Sequence, residues 1–207
     1  MEEVAKLGSL NGIYLFLYRA FIKEVDADFL SFMRSEEMRP MMEALEMNLS
    51  PGAIGITDEA LLEELAVEYA ALFIQPGAYP PYESIVLEKR FLGKPADTVE
   101  LAYQDAGFDY RQNFPKLFPD HLAIEMLFIA SLLTKESEYV SSGDHAAVLE
   151  WRGKRAAFMT DHLGKWVMEY LERLQIMTEN RFYHKMVVFT KEFLETEFSA
   201  VRAESVL

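Results

Sequence analysis

The sequence predicts an all-α protein, with about nine to eleven helices in one domain over residues 1–207, gathered around a buried central helix. Three observations lead there. Apolar residues recur every three or four positions along most of the chain, and no stretch alternates convincingly with period two. Proline and glycine fall between those stretches, where they end helices. The run from Phe118-Pro119-Asp120-His121-Leu122 to Leu133 is apolar on nearly every face, as expected of a helix enclosed by others.

The elements follow in order. Leu7, Leu10, Tyr14, Leu17, Tyr18 and Phe21 predict a helix from Val4 to about Val25. Phe29, Leu30, Phe32 and Met33 predict a short one over Asp28–Arg34, and another spans Glu36–Met47 with Pro40 near its start, where proline is tolerated. Asn48 to Thr57, with Pro51, Gly52 and Gly55, reads as a loop. Thr57-Asp58-Glu59 supplies a hydroxyl cap and first-turn acids for a helix whose stripe is Leu61, Leu62, Leu65, Tyr69, Leu72 and Phe73. Pro80 and Pro81 force an extended segment, after which Ser84 is expected to cap a short helix reaching Phe91. A helix over Ala96–Ala106 stops at Gly107, and Asp109–Pro119 is loop. Asp120 is expected as the N-cap of the central helix, which runs to Ser141-Ser142-Gly143. Further helices cover Asp144–Met159, Leu163–Leu174 and Phe182–Val201.

Composition narrows the function classes. A 51% apolar and 26% charged chain is globular, and no run approaches the roughly 18 apolar residues of a membrane span. Met1-Glu2-Glu3 is acidic where a secretory signal is basic, so no signal peptide is expected. With no cysteine, disulfides, thiolate metal sites and cysteine nucleophiles are excluded, which fits a reducing cytoplasm. The net charge of −14 argues against nucleic acid and suits basic partners, though solubility alone would also explain it.

No enzyme motif stands out. Asp120-His121, Asp144-His145 and Asp161-His162 reverse the His-Asp order of helical metal-dependent phosphohydrolases. His121 and Glu125, one turn apart, could give two metal ligands, but nothing nearby gives a third, so no metal or cofactor is expected. Neither a phosphate-cradling glycine loop nor a Gly-x-Ser-x-Gly elbow occurs. The repeat of Asp120-His121-Leu122 as Asp161-His162-Leu163 is too short to define a structural repeat. His121 admits three readings from the residues alone: a neutral structural imidazole, a cation held by Asp120 and Glu125, or a ligand-contacting group.

Several stretches together resemble the TorD/DmsD family of redox-enzyme maturation chaperones. They are Glu68-Tyr69-Ala70-Ala71-Leu72-Phe73, Pro80-Pro81-Tyr82-Glu83-Ser84, Pro119-Asp120-His121-Leu122 with Glu125 and Phe128, Phe158 through His162-Leu163 to Trp166, and Phe182-Tyr183 through Phe193. Tyr82 stands where tryptophan is common in such proteins. The resemblance implies a cytoplasmic, non-enzymatic chaperone that binds the twin-arginine signal peptide of a molybdenum-cofactor oxidoreductase subunit and holds the apo-subunit before export. It further implies a peptide site built from Pro80, Pro81, Tyr82, Glu83, Ser84, Pro119, Asp120, His121 and Glu125, with Glu68, Tyr69, Leu72, Phe73 and Phe128 in packing roles. Guanine-nucleotide binding, or some other acidic helical interaction role, is the alternative. A monomer and a domain-swapped dimer, exchanging elements through the Ser141-Ser142-Gly143 loop, are both compatible with the sequence.

Overall fold

The structure is a computed structural model that describes residues 1–47, 49, 55–178 and 181–204, with the side chain of Glu204 left out. Most of the loop expected over Asn48–Thr57 therefore lies outside the described residues. Among the described residues the chain forms ten α-helices and one π-helical turn, with no strand beyond a single residue bridge, so the all-α class holds. No helix among them is long and apolar enough to cross a membrane.

The helices are α1 (Glu2–Ile22), α2 (Ala27–Met33), α3 (Arg39–Ala44), α4 (Asp58–Phe73), α5 (Glu83–Glu88), α6 (Lys94–Ala106), α7 (Leu122–Ser142), α8 (His145–Phe158), the π turn Met159–Leu163, α9 (Gly164–Met177) and α10 (Arg181–Glu204). The caps show why several begin where they do. The Asp26 carboxylate accepts from the Phe29 amide at 2.9 Å, Thr57 Oγ1 from Ala60 and Asp144 Oδ1 from Ala147, each satisfying a first-turn N–H that has no partner inside its own helix. The helix expected over Glu36–Met47 is cut to Arg39–Ala44, and the short helix after Pro81 ends at Glu88 where Lys89 turns left-handed at φ 59°.

The residues group into two compact units. The first comprises Met1–Ile22, Pro81–Tyr170 and Leu194–Leu207; the second comprises Lys23–Pro80 and Leu171–Phe193. In the first, α7 is the central helix foreseen from its apolar faces. Leu122, Ile124, Met126, Ile129 and Leu133 are fully buried, and α1 packs along it with Tyr14 and Leu17 inward. Asn11 of α1 ties the pair by donating to the Ala130 carbonyl at 2.6 Å. α8 also packs against α7. There the buried Glu136 accepts from Arg152 Nε at 2.7 Å and from Arg155 Nε at 3.1 Å. Tyr103, Phe128 and Phe158 form a ring cluster with centroids 4.6 and 4.7 Å apart, the tilted and edge contacts that aromatic quadrupoles favour.

In the second unit Tyr69 and Phe73 of α4 meet Tyr183 of α10 in a similar cluster, which accounts for the stripe read along α4. Arg34 closes that unit's surface by a bidentate pair with Asp58 at 2.7 and 2.8 Å.

The sequence places separate helices before Met159 and after Leu163. The structure instead runs them together through the π turn, one wide turn carrying Asp161 and His162. Gly164 makes this possible, because a Cβ there would sit 2.6 Å from the Met159 carbonyl oxygen and 3.4 Å from Phe198. A backbone oxygen cannot step aside as a flexible side chain can, so the turn demands glycine.

Candidate functional site

The two proline-stiffened segments meet in the first unit, and the backbone itself makes the join. Leu122 donates to the Pro81 carbonyl at 2.8 Å and Glu83 to the Asp120 carbonyl at 3.0 Å, so that Tyr82 and His121 form an antiparallel bridge. The Asp120 carboxylate then accepts from the Ser84 amide at 2.9 Å. Two sequence expectations are corrected here. Asp120 does not cap its own helix, because its carboxylate is turned to the first turn of α5. Ser84 is not a cap either, since it is the second residue of α5 and Tyr82 holds the cap position.

The cap of α7 is His121, whose Nδ1 accepts from the Ala123 amide at 3.1 Å. An accepting Nδ1 carries no proton, and burial pushes the His121 pKa down to about 3, so the imidazole is neutral. Of the three sequence readings of His121, the cation held by Asp120 and Glu125 is therefore ruled out. The Tyr82 ring stands edge-on to this imidazole at 4.9 Å, and Phe91 and Phe118 extend the aromatic group at 5.3 and 5.8 Å from Tyr82. Burial, and then the charge of Asp120, raise the Tyr82 hydroxyl to about 12. Tyr103 fixes the second proline by donating to the Pro119 carbonyl at 2.8 Å.

The acids of this region lie inside the fold. Asp120 and Glu125 have no exposed surface and Glu83 has 2%. Glu125 Oε2 accepts from the indole N–H of Trp166 at 3.3 Å, and Glu83 Oε2 lies 3.3 Å from His162 Nδ1. Asp120 Oδ1, Glu125 Oε1 and Ser84 Oγ are buried with no hydrogen-bond partner among the described residues. Burial holds the Glu125 carboxyl well above the usual carboxylate range; the charges of Glu83 and Asp120 push the same way, and the Trp166 bond opposes them.

These two groups give opposite pH dependences. Between about 6.5 and about 3 the unfolded chain protonates His121 while the folded chain does not, so stability falls as pH drops through that window. Glu125 behaves the other way. Its folded pKa is raised above 4.5, so its contribution is complete below that value and is lost as pH rises toward the folded pKa. Because the two slopes oppose, urea unfolding across pH 4.5–6.5 is expected to show a wild type whose pH dependence lies between those of the two variants. His121→Asn would become less stable with rising pH and Glu125→Gln more stable, each by about 1.4 kcal/mol per pH unit at most. Parallel curves for all three proteins would contradict this assignment.

Glu83 also borders a cleft of about 470 Å³ whose other walls include Leu87, Glu88, Lys94, Asp161, His162 and Lys165. So of the nine residues expected in the site, Pro81, Tyr82, Glu83, Ser84, Pro119, Asp120, His121 and Glu125 come together within the first unit. Pro80 ends the adjoining segment of the second. Sequence reasoning assigned no site role to His162, Trp166 or Tyr103. A signal for the first was present in the echo Asp161-His162-Leu163: both copies touch the same segment, Asp120 at Ser84 and His162 at Glu83. Among the described residues no group of three or more His, Cys, Asp or Glu could hold a metal ion.

The sequence has relatives among known proteins. Residues 33–172 match the model of the family described as nitrate reductase delta subunit. The chain belongs to that family, which takes in the TorD-type redox-enzyme maturation proteins it resembles in sequence. Over 148 residues it is 28% identical to the chaperone protein TorD of Aeromonas salmonicida (strain A449), covering 70% of this chain and 65% of that one. The chain thus spans a little less than two thirds of that relative's length. A solved crystal structure from Archaeoglobus fulgidus that carries the name redox enzyme maturation protein is 22% identical. It has a TM-score of 0.48 over 90% of this chain and 93% of that one.

Proposed function

We propose that this protein is a cytoplasmic chaperone that binds the twin-arginine signal peptide of a molybdenum-cofactor oxidoreductase subunit. It holds the apo-subunit for cofactor insertion before export, and it acts by binding and catalyses no reaction. The observation that carries this reading is the family match over residues 33–172, which contains both proline segments and the acids between them. The chemistry supports it. Such a peptide has a basic front followed by an apolar stretch, and it gains on-rate from a protein with a net charge of −14. Pro80, Pro81, Tyr82, Glu83, Ser84, Pro119, Asp120, His121 and Glu125 form the proposed peptide site. In it the backbone bridge sets the shape, Tyr82 with Phe91 and Phe118 offers the apolar surface, and Glu83 carries charge to the cleft.

Titrating the protein with a synthetic twin-arginine leader peptide, and with the same peptide carrying lysine at both arginines, tests the proposal. The arginine leader is expected to bind at least tenfold more tightly, a difference of about 1.4 kcal/mol, because only guanidinium makes paired bonds to a carboxylate. Equal binding of the two peptides would sink the leader-recognition reading.

A further inference from the structure

Behind the cleft wall the first unit holds buried polar oxygens that lack partners. Asp120 Oδ1, Glu125 Oε1 and Ser84 Oγ are all buried without a partner among the described residues. Two of them belong to carboxylates that sit close enough to act on one another's charge. Unpaired buried polar groups are costly, and the carboxyl groups among them suit a ligand that brings several donors at once. The guanidinium of arginine brings five in one plane, and it carries the opposite charge. A lysine ammonium offers three on a single point and cannot span the same set.

Glu83 belongs both to this cluster and to the lining of the 470 Å³ cleft, and His162, which lines the same cleft, lies 3.3 Å from its carboxylate. His162 is carried by the π turn, a wide turn of a kind often found where function needs local adjustment. Of the lining residues, Lys165 lies 3.7 Å from Asp161, Glu88 pairs with Arg90 at 2.8 Å, and Lys94 is the other lysine.

We propose that Glu83, Asp120 and Glu125 form a receptor for one arginine side chain of the leader, reached from the cleft past His162. This rests on the leader-binding function proposed above. The guanidinium takes the place of His162 on Glu83 and reaches the free oxygens of Glu125 and Asp120, and the proton of the Glu125 carboxyl leaves to solvent. The groups that face Glu125 are consistent with one proton in the cluster before binding. Glu83 from α5 and Asp120 ahead of α7 are acidic, Tyr103 from α6 is a neutral phenol, and Trp166 from α9 gives a single N–H. His162 of the π turn meets the cluster at Glu83. Burial and the neighbouring charges keep the Glu125 carboxyl in its protonated form, in agreement with that count.

The experiment is calorimetric titration of the full chain with the synthetic twin-arginine leader, in phosphate and in Tris at one pH, and then across a pH series. The expected result is release of about one proton per peptide, with affinity rising up to about tenfold per pH unit. Glu125→Gln is expected to abolish both the release and the pH dependence, and the lysine leader is expected to bind without releasing a proton. Leader binding to the wild type with no proton release would overturn the receptor while leaving the chaperone reading intact. Release that persists in Glu125→Gln would overturn it too. No leader binding by the wild type at all would remove both readings. Should Glu125→Gln fail to fold, the two-buffer measurement on the wild type decides alone.

Discussion

Glu136→Ala is expected to lower the free energy of unfolding by about 3–5 kcal/mol. The carboxylate is fully buried on α7 and accepts from Arg155, itself only 5% exposed, and from Arg152 on α8. Removing it leaves the Arg155 guanidinium in a low-dielectric interior without the carboxylate that offsets its desolvation. Arg152 also pairs with Glu3 of α1 at 2.7 Å and is partly solvated, so its loss costs less. Urea unfolding measures the effect. Replacing Glu136 and Arg155 together with leucine should recover most of the stability, since neither member of the pair is then buried without the other. If Glu136→Ala costs under 1 kcal/mol, water reaches that pair and the α7–α8 contact is looser than described.

Trp166→Ala is expected to cost about 3–5 kcal/mol as well, for a different reason. The indole is 1% exposed, packs on Tyr170 at 5.4 Å between ring centroids, and donates to Glu125 at 3.3 Å. Truncation opens a cavity and also strands a second Glu125 oxygen. Trp166→Phe keeps most of the volume and loses only the N–H, so it should fall well short of the alanine cost, nearer the 1–3 kcal/mol of an unmet buried acceptor. Denaturant midpoints of the three proteins, taken below pH 4.5 where Glu125 is protonated in both folded and unfolded states, separate packing from hydrogen bonding. Equal losses for alanine and phenylalanine would show that the bond, and not the volume, holds the helix.

Those two residues also show what a sequence can and cannot reveal. The apolar faces of α4 and α7 were legible because burial of a helix face leaves a local pattern at three- and four-residue spacing, and their starts and stops followed from Thr57 and Gly143. The meeting of residues 81–84 with 119–122 was anticipated from the rigid aromatic edge of Pro80-Pro81-Tyr82 beside His121 and from family resemblance, since nothing local in either segment fixes the other as its partner. Caps failed where the partner was remote. Asp120 has the right residue type one position before the helix cap, but its carboxylate is claimed by the amide of Ser84, 36 residues away in sequence. Burial of Glu83, Asp120 and Glu125 was equally invisible, because an acid on a helix reads as solvated until the neighbouring helices are placed. The π turn left one trace in the sequence, Gly164, whose necessity appears only when the Met159 carbonyl is seen beneath it.

The proposal at the centre of this account is that the segment bridged at Tyr82 and His121, together with the acids behind it, receives the leader. Hydrogen–deuterium exchange of the full chain with and without the twin-arginine peptide addresses it directly. The account predicts slowed exchange over residues 82–88, 120–125 and 159–165, and no change over the shallow groove formed by Leu7, Asn11, Leu133 and Ser137. Protection confined to that α1–α7 groove, with residues 82–88 and 120–125 unaltered, would contradict it.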